Sequence, residues 1–151
     1  MSPHNQLKVL QILLVEDSKS DAVLISETLN ESKFINQLNI VRDGVEATDY
    51  LYKRGKYTHV SRPDLILLDL NLPKKNGREL LAEIKADDNL KTIPVVVLTT
   101  SSDEADILKS YKLHVNCYLV KPIDLERFVE IVRSIENFWL ALVELPPHED
   151  N

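Results

Sequence analysis

The chain has 151 residues, enough for one domain with a sizeable core, and its 44% hydrophobic and 28% charged residues are ordinary for a globular protein. A formal net charge of −6 argues against sequence-independent binding to nucleic acid or to an anionic membrane, which needs a basic face. The single cysteine, Cys117, excludes an intrachain disulfide, no run of about 20 apolar residues suits a membrane span, and the absence of a signal peptide makes the cytoplasm the expected compartment.

Short apolar runs alternate with longer amphipathic ones. Val9 to Val15 reads as a strand that ends abruptly in Glu16-Asp17. Asp17 or Ser18 can cap the following helix, whose apolar positions are Ala22, Val23, Ile25 and Leu29. Leu38 to Val41 is a short second strand, and Asp43-Gly44 turns the chain into a helix carrying Val45, Ala47 and Leu51. After a polar connector, Asp64 to Asp69 is apolar between two carboxylates, the pattern of a parallel strand covered on both faces. Leu72 to Gly77 is a loop, followed by a helix using Leu80, Leu81 and Ile84. Pro94 to Leu98 is a fourth strand, Asp103 to Tyr111 a short helix, and Val115 to Val120 a fifth strand ending at Lys121-Pro122. A long final helix starts at Asp124 and reaches about Leu142. Five strand–helix repeats without a Gly- or Ser-rich linker predict a single α/β domain over residues 1–151, with its core at 9–142. Its sheet is parallel and doubly wound.

In such folds the functional residues lie beyond the carboxyl ends of the strands. There the first strand delivers Glu16 and Asp17, the third Asp69, the fourth Thr99 and the fifth Lys121. Taken singly, each is more often a helix cap or a local backbone partner; their joint occurrence at appropriate strand ends carries the argument. Clustered carboxylates repel one another, and a hard divalent cation such as Mg²⁺ or Mn²⁺ removes that cost. Asp17 and Asp69 suit as direct ligands, Glu16 as a water-mediated one, and the carbonyl of Asn71 as a further oxygen. Phosphoryl transfer needs an in-line nucleophile and positive charge on the phosphoryl oxygens. Asp69 suits as the nucleophile, giving an aspartyl phosphate, with Lys121 and the cation neutralising charge and Thr99 donating a hydrogen bond.

Glu16-Asp17, Asp69 with Leu72-Pro73 and Gly77, Thr99, and Lys121-Pro122 together resemble the signature of the response-regulator receiver domain of two-component signalling, over residues 9–140. The resemblance implies a flavodoxin-like fold of five strands, in the order 2-1-3-4-5, and five helices. It also implies phosphorylation of Asp69 by a sensor histidine kinase, a Mg²⁺ requirement, and a switch made of Thr99 and an inward-moving aromatic, which by position is Tyr118. The connector 57–63, the stretch 110–118 and the ending Ile135 to Leu140 further resemble the single-domain regulators of cyanobacterial phytochromes, which implies a red-light-sensing kinase as phosphodonor.

Few residues follow the last helix, so the output is expected to be a surface. That helix carries more apolar residues than one buried stripe needs. Phe138 and Trp139 point about 100° apart, and each buries about 150–250 Å² when covered. A homodimer through Phe138, Trp139 and Leu142 is therefore expected, the alternative being that both rings fold over their own domain. A haloacid-dehalogenase-type phosphatase would need a second Asp as general acid at the position of Asn71. A pseudo-receiver that binds proteins without phosphorylation would not need the intact set of acceptor, acidic pair, Thr and Lys. A flavin or nucleotide carrier would need a glycine-rich loop, and the chain has only three Gly. Neither Asn71 nor Ser101 carries a carboxylate to orient water, which predicts a phosphoryl group with an intermediate to slow lifetime.

Overall fold

A computed structural model describes residues 9–31, 36–100 and 117–144. Its elements are β1 (Leu10–Val15), α1 (Lys19–Glu31), β2 (Asn36–Val41), α2 (Gly44–Leu51), a 3₁₀ turn (Gly55–Tyr57), β3 (Leu65–Asp69), α3 (Gly77–Ala86), β4 (Val95–Thr99), β5 (Cys117–Val120) and α4 (Leu125–Glu144). The five strands form one sheet in the order β2-β1-β3-β4-β5, and every pairing is parallel. The predicted strand order is thus observed.

The period of two along each strand divides the core between the two faces of the sheet. Leu13, Val15, Ile66, Leu68, Val95 and Val97 pack with Ala47 and Leu51 of α2 and with Leu80, Leu81 and Ile84 of α3. The intervening Ile12, Leu14, Leu65, Leu67, Val96 and Leu98 pack with Ala22, Ile25 and Leu29 of α1 and with Phe128, Ile131 and Val132 of α4. Because helices cover both faces, every residue of β3 and β4 is buried. Each such aliphatic side chain contributes roughly 1.5–3 kcal/mol relative to exposure.

Local chemistry fixes where the helices begin, and so where the strand-end loops lie. Ser18 Oγ accepts from the Asp21 N–H (3.2 Å) at the start of α1. Asp43 caps α2 by accepting from the Glu46 N–H at 2.7 Å. Asn76 and Glu79 form a reciprocal capping box at α3, with Glu79 N donating to Asn76 Oδ1 (2.9 Å) and Asn76 N to Glu79 Oε1 (3.2 Å). Gly77 is required by close approach: a Cβ there would lie 2.5 Å from the Asp69 carbonyl oxygen and the Leu70 Cα. A Cβ at Gly44 would lie 2.0 Å from the Lys75 carbonyl oxygen. The loop after Asp69 is thereby clamped between the starts of α2 and α3.

Several expectations are corrected in detail. Val23 is 55% exposed and Val45 46% exposed, because Ala22 and Ala47 take the core-facing directions of their helices. β2 begins at Asn36 rather than Leu38, since Asn36 and Gln37 pair in register with Leu10 and Gln11. The predicted helix Asp103 to Tyr111 and residues Val115 and Asn116 lie outside the described residues, so four of the five expected α-helices are described. The backbone of α4 runs through positions 138, 139 and 142, but the side chains of Phe138, Trp139 and Leu142 lie outside the described set. No helix among the described residues is long and apolar enough to cross a membrane.

Candidate functional site

The strand order reverses between β1 and β3, and the site lies at the carboxyl ends there, as expected for a doubly wound sheet. Glu16 directly follows β1. Its N–H donates to the Val41 carbonyl at 3.0 Å, and its Oε2 accepts from the Ser18 N–H at 3.0 Å. Asp69 is the last residue of β3, and its Oδ1 accepts from the Asn71 N–H at 2.9 Å. Thr99 is the last residue of β4; its carbonyl accepts from the Lys121 N–H at 2.8 Å, tying β4 to the residue after β5. The Lys121–Pro122 peptide is cis. Glu16, Asp69 and Thr99 are 1%, 4% and 1% exposed, so the site is assembled below the surface rather than on it.

The ammonium of Lys121 sits at the centre of three carboxylates. It donates to Asp69 Oδ2 at 2.8 Å and to Asp21 Oδ2 at 2.9 Å. Glu16 Oε1 lies 2.7 Å from the same nitrogen, as an ion pair. That oxygen is buried and has no hydrogen-bond partner among the described residues. The two oxygens of Asp69 are thus inequivalent: one is held by the backbone of its own loop, the other faces the lysine.

Burial first, then the neighbouring carboxyl of Asp69, push the Glu16 carboxyl up from 4.5 to about 7, against the lowering effect of Lys121 and the Ser18 N–H. Burial by itself would pull Lys121 down, but its contacts with Asp69, Glu16 and Asp21 together raise it well above the ordinary lysine value. One ammonium is therefore shared among more negative charge than it neutralises. The cluster carries a deficit of positive charge that a dication or a proton relieves.

The structure brings Glu16, Asp69 and Lys121 into direct contact and places buried Thr99 on the adjoining strand end. Asp17 is exposed at the end of β1 and Asn71 is exposed in the loop. Asn71 donates its N–H to Asp69, which leaves its carbonyl as the atom expected to ligate a cation. Tyr118 is half-buried and packs against the core on the α2 and α3 side, while Ser101 lies outside the described residues. Sequence reasoning missed Asp21. The available signal was its place in the first turn of the helix that follows Glu16-Asp17, but an acid in a first turn is ordinarily read as a partner of the helix dipole. It also missed Lys75, whose Nζ donates to Thr48 Oγ1 (3.0 Å) and to Glu83 (2.8 Å), tying the loop after Asp69 to α2 and α3.

The donor set suits a hard cation in kind. Its ligating atoms are carboxylate oxygens, and the buried Glu16 Oε1 lacks a hydrogen-bond partner among the described residues. Among the described residues no group of three acidic, imidazole or thiol side chains is arranged to hold a metal ion; the centre of the three carboxylates is taken by the Lys121 ammonium.

This geometry defines a class, and comparison with known proteins agrees with it. The response regulator receiver domain model matches residues 12–133, and the chain belongs to that family. Over 135 residues it is 56% identical to response regulator Rcp1 of Synechocystis sp., covering 89% of this chain and 92% of that protein. It superimposes on the crystal structure of the phosphorylated cyanobacterial phytochrome response regulator RcpA with a TM-score of 0.73 at 56% identity, covering 92% of this chain and 99% of that one. The Mn²⁺-bound form of Rcp1 gives a TM-score of 0.70 at 56% identity, over 87% and 94% of the two chains.

Proposed function

We propose that this protein is a phytochrome-linked response regulator of the cytoplasm that stores a phosphoryl group on Asp69. The observation that carries the reading is the contact of Asp69 Oδ2 with the Lys121 ammonium at 2.8 Å, at the buried end of β3. In the transfer, an Asp69 carboxylate oxygen attacks the phosphorus of a phosphohistidine on the sensor kinase. The P–O bond forms as the P–N bond breaks, and the imidazole nitrogen keeps the electron pair and takes up a proton. Lys121 neutralises the phosphoryl oxygens, and Thr99 donates a hydrogen bond to one of them. Glu16, Asp17 and Asp69 would hold Mg²⁺ or Mn²⁺, which when bound supplies positive charge to the phosphoryl oxygens. Thr99 and Tyr118 are the proposed route by which the state of Asp69 reaches the far surface, which requires two conformations that the phosphoryl group stabilises unequally.

The donor proposed is a phytochrome histidine kinase, supported by the likeness to Rcp1 and RcpA. Incubating the protein with a kinase of that class, labelled on its histidine, is expected to move the label to the wild type and not to Asp69→Asn. Label on the Asp69→Asn variant would contradict the assignment.

The output proposed is a homodimer through α4. Phe128, Ile131 and Val132 supply a buried stripe of that helix, and its sequence adds Phe138, Trp139 and Leu142, more apolar residues than one stripe needs. Sedimentation is expected to show a dimer at tens of micromolar and a monomer for the Phe138→Ala, Trp139→Ala double variant. A wild type that is monomeric at that concentration would rule the dimer out.

A further inference from the structure

The Lys121 ammonium has three carboxylates within 3 Å: it donates to Asp69 at 2.8 Å and to Asp21 at 2.9 Å, and it forms an ion pair with Glu16 at 2.7 Å. A phosphoryl group on Asp69 draws on that same ammonium, so these contacts have to give ground to it. The three are not equally able to do so. Glu16 is buried, and its other oxygen is fixed by the Ser18 N–H. Asp69 is the group that becomes the acyl phosphate. Asp21, in the first turn of α1, has a side chain 36% exposed, so water can replace the lysine there. It also lines an open cleft of about 350 Å³ with Lys121, Thr100 and Pro122, beside the position a phosphoryl group would take.

We propose that Asp21 is a positioning residue for Lys121 that holds part of the ammonium away from Asp69 and so weakens the site's grip on a phosphoryl group. The inference rests on the phosphoacceptor reading of Asp69. Two effects act in the same direction. Asp21 competes for the proton that Lys121 would donate to the phosphoryl oxygen. Its negative charge also lies near a group carrying about −2, in a partly buried setting where charges interact more strongly than in bulk water. Had Asp21 only completed the first turn of α1, favourable there for any acid, neutralising it would alter stability and leave phosphoryl affinity unchanged.

The test uses the full chain with Mg²⁺ and beryllofluoride, a non-covalent stand-in for a phosphoryl group on a carboxylate, with binding measured by titration calorimetry. The wild type is expected to bind, and Asp69→Asn is not. Asp21→Asn is expected to bind about tenfold tighter than wild type, with Asp21→Ala moving the same way. Asp21→Glu, which keeps the charge, is expected to stay within about twofold of wild type. The gain in Asp21→Asn should shrink as salt is raised, because the carboxylate is partly exposed. Equal or weaker binding by both Asp21→Asn and Asp21→Ala, beside a wild type that binds, would overturn the role of Asp21 alone. A wild type that does not bind would overturn the phosphoacceptor reading together with it.

Discussion

Replacing Lys121 with methionine is expected to destabilise the protein by about 3–5 kcal/mol at about pH 8 in the presence of a chelator. Methionine preserves the length and much of the packing of the side chain but removes the positive charge that faces Glu16, Asp69 and Asp21 together. Two of those carboxylates are almost wholly buried, so the loss is the uncompensated burial of charge rather than the loss of a surface ion pair, which is worth about 0–1 kcal/mol. Two rescues follow from that cause. Acidification, which protonates the carboxylates, and millimolar Mg²⁺, which supplies charge from another source, are each expected to recover much of the loss. Urea denaturation measures all three conditions; a variant within 1 kcal/mol of wild type at about pH 8 without cation would show that the cluster does not depend on Lys121.

The second large effect belongs to Glu16. Its carboxyl is raised from 4.5 to about 7 in the folded chain, so the folded state holds a proton that the unfolded chain releases between those values. The resulting contribution to stability is fully present below about pH 4.5 and is lost as pH rises through about 7, amounting to about 3 kcal/mol. Without divalent cation, the stability of wild type relative to Glu16→Gln is therefore expected to fall by that order across the window, the neutral variant gaining ground as pH rises. The comparison with the variant isolates Glu16 from other groups, including Glu46, which burial alone would raise but which is lowered overall by the Tyr57 hydroxyl, the Arg42 N–H and Lys56. Parallel stability profiles for the two proteins would contradict the raised carboxyl.

These effects show which parts of the site were open to reading from the residues alone. β3 and β4 were legible because a strand buried on both faces must be apolar throughout, and Asp69 and Thr99 stand out where those runs stop. Glu16 and Lys121 were legible for the same reason, as charges that interrupt β1 and β5. Helix faces were less so: Ala22-Val23 and Val45 with Ala47 offer two apolar residues where the packing direction admits one, and the smaller residue took the core. Asp21 was hidden because its partner Lys121 is 100 residues away, a contact that no local pattern encodes. The loop after Asp69 was legible as a loop from Pro73 and Gly77. Its fastening to α2, through Lys75 and the close approach of Gly44, depends on tertiary placement. The same distinction holds for function. The candidate site residues stand at strand ends, whereas the proposed partner rests on resemblance and comparison.

The central claim is that the cluster exists to load Asp69. Its most direct test is the intact mass of the protein after incubation with acetyl phosphate and Mg²⁺, followed by peptide mapping. The expected result is a single base-labile adduct with the mass of one phosphoryl group on the peptide containing Asp69, absent from Asp69→Ala. A wild type that gains no adduct, or an adduct that persists in Asp69→Ala, would contradict it.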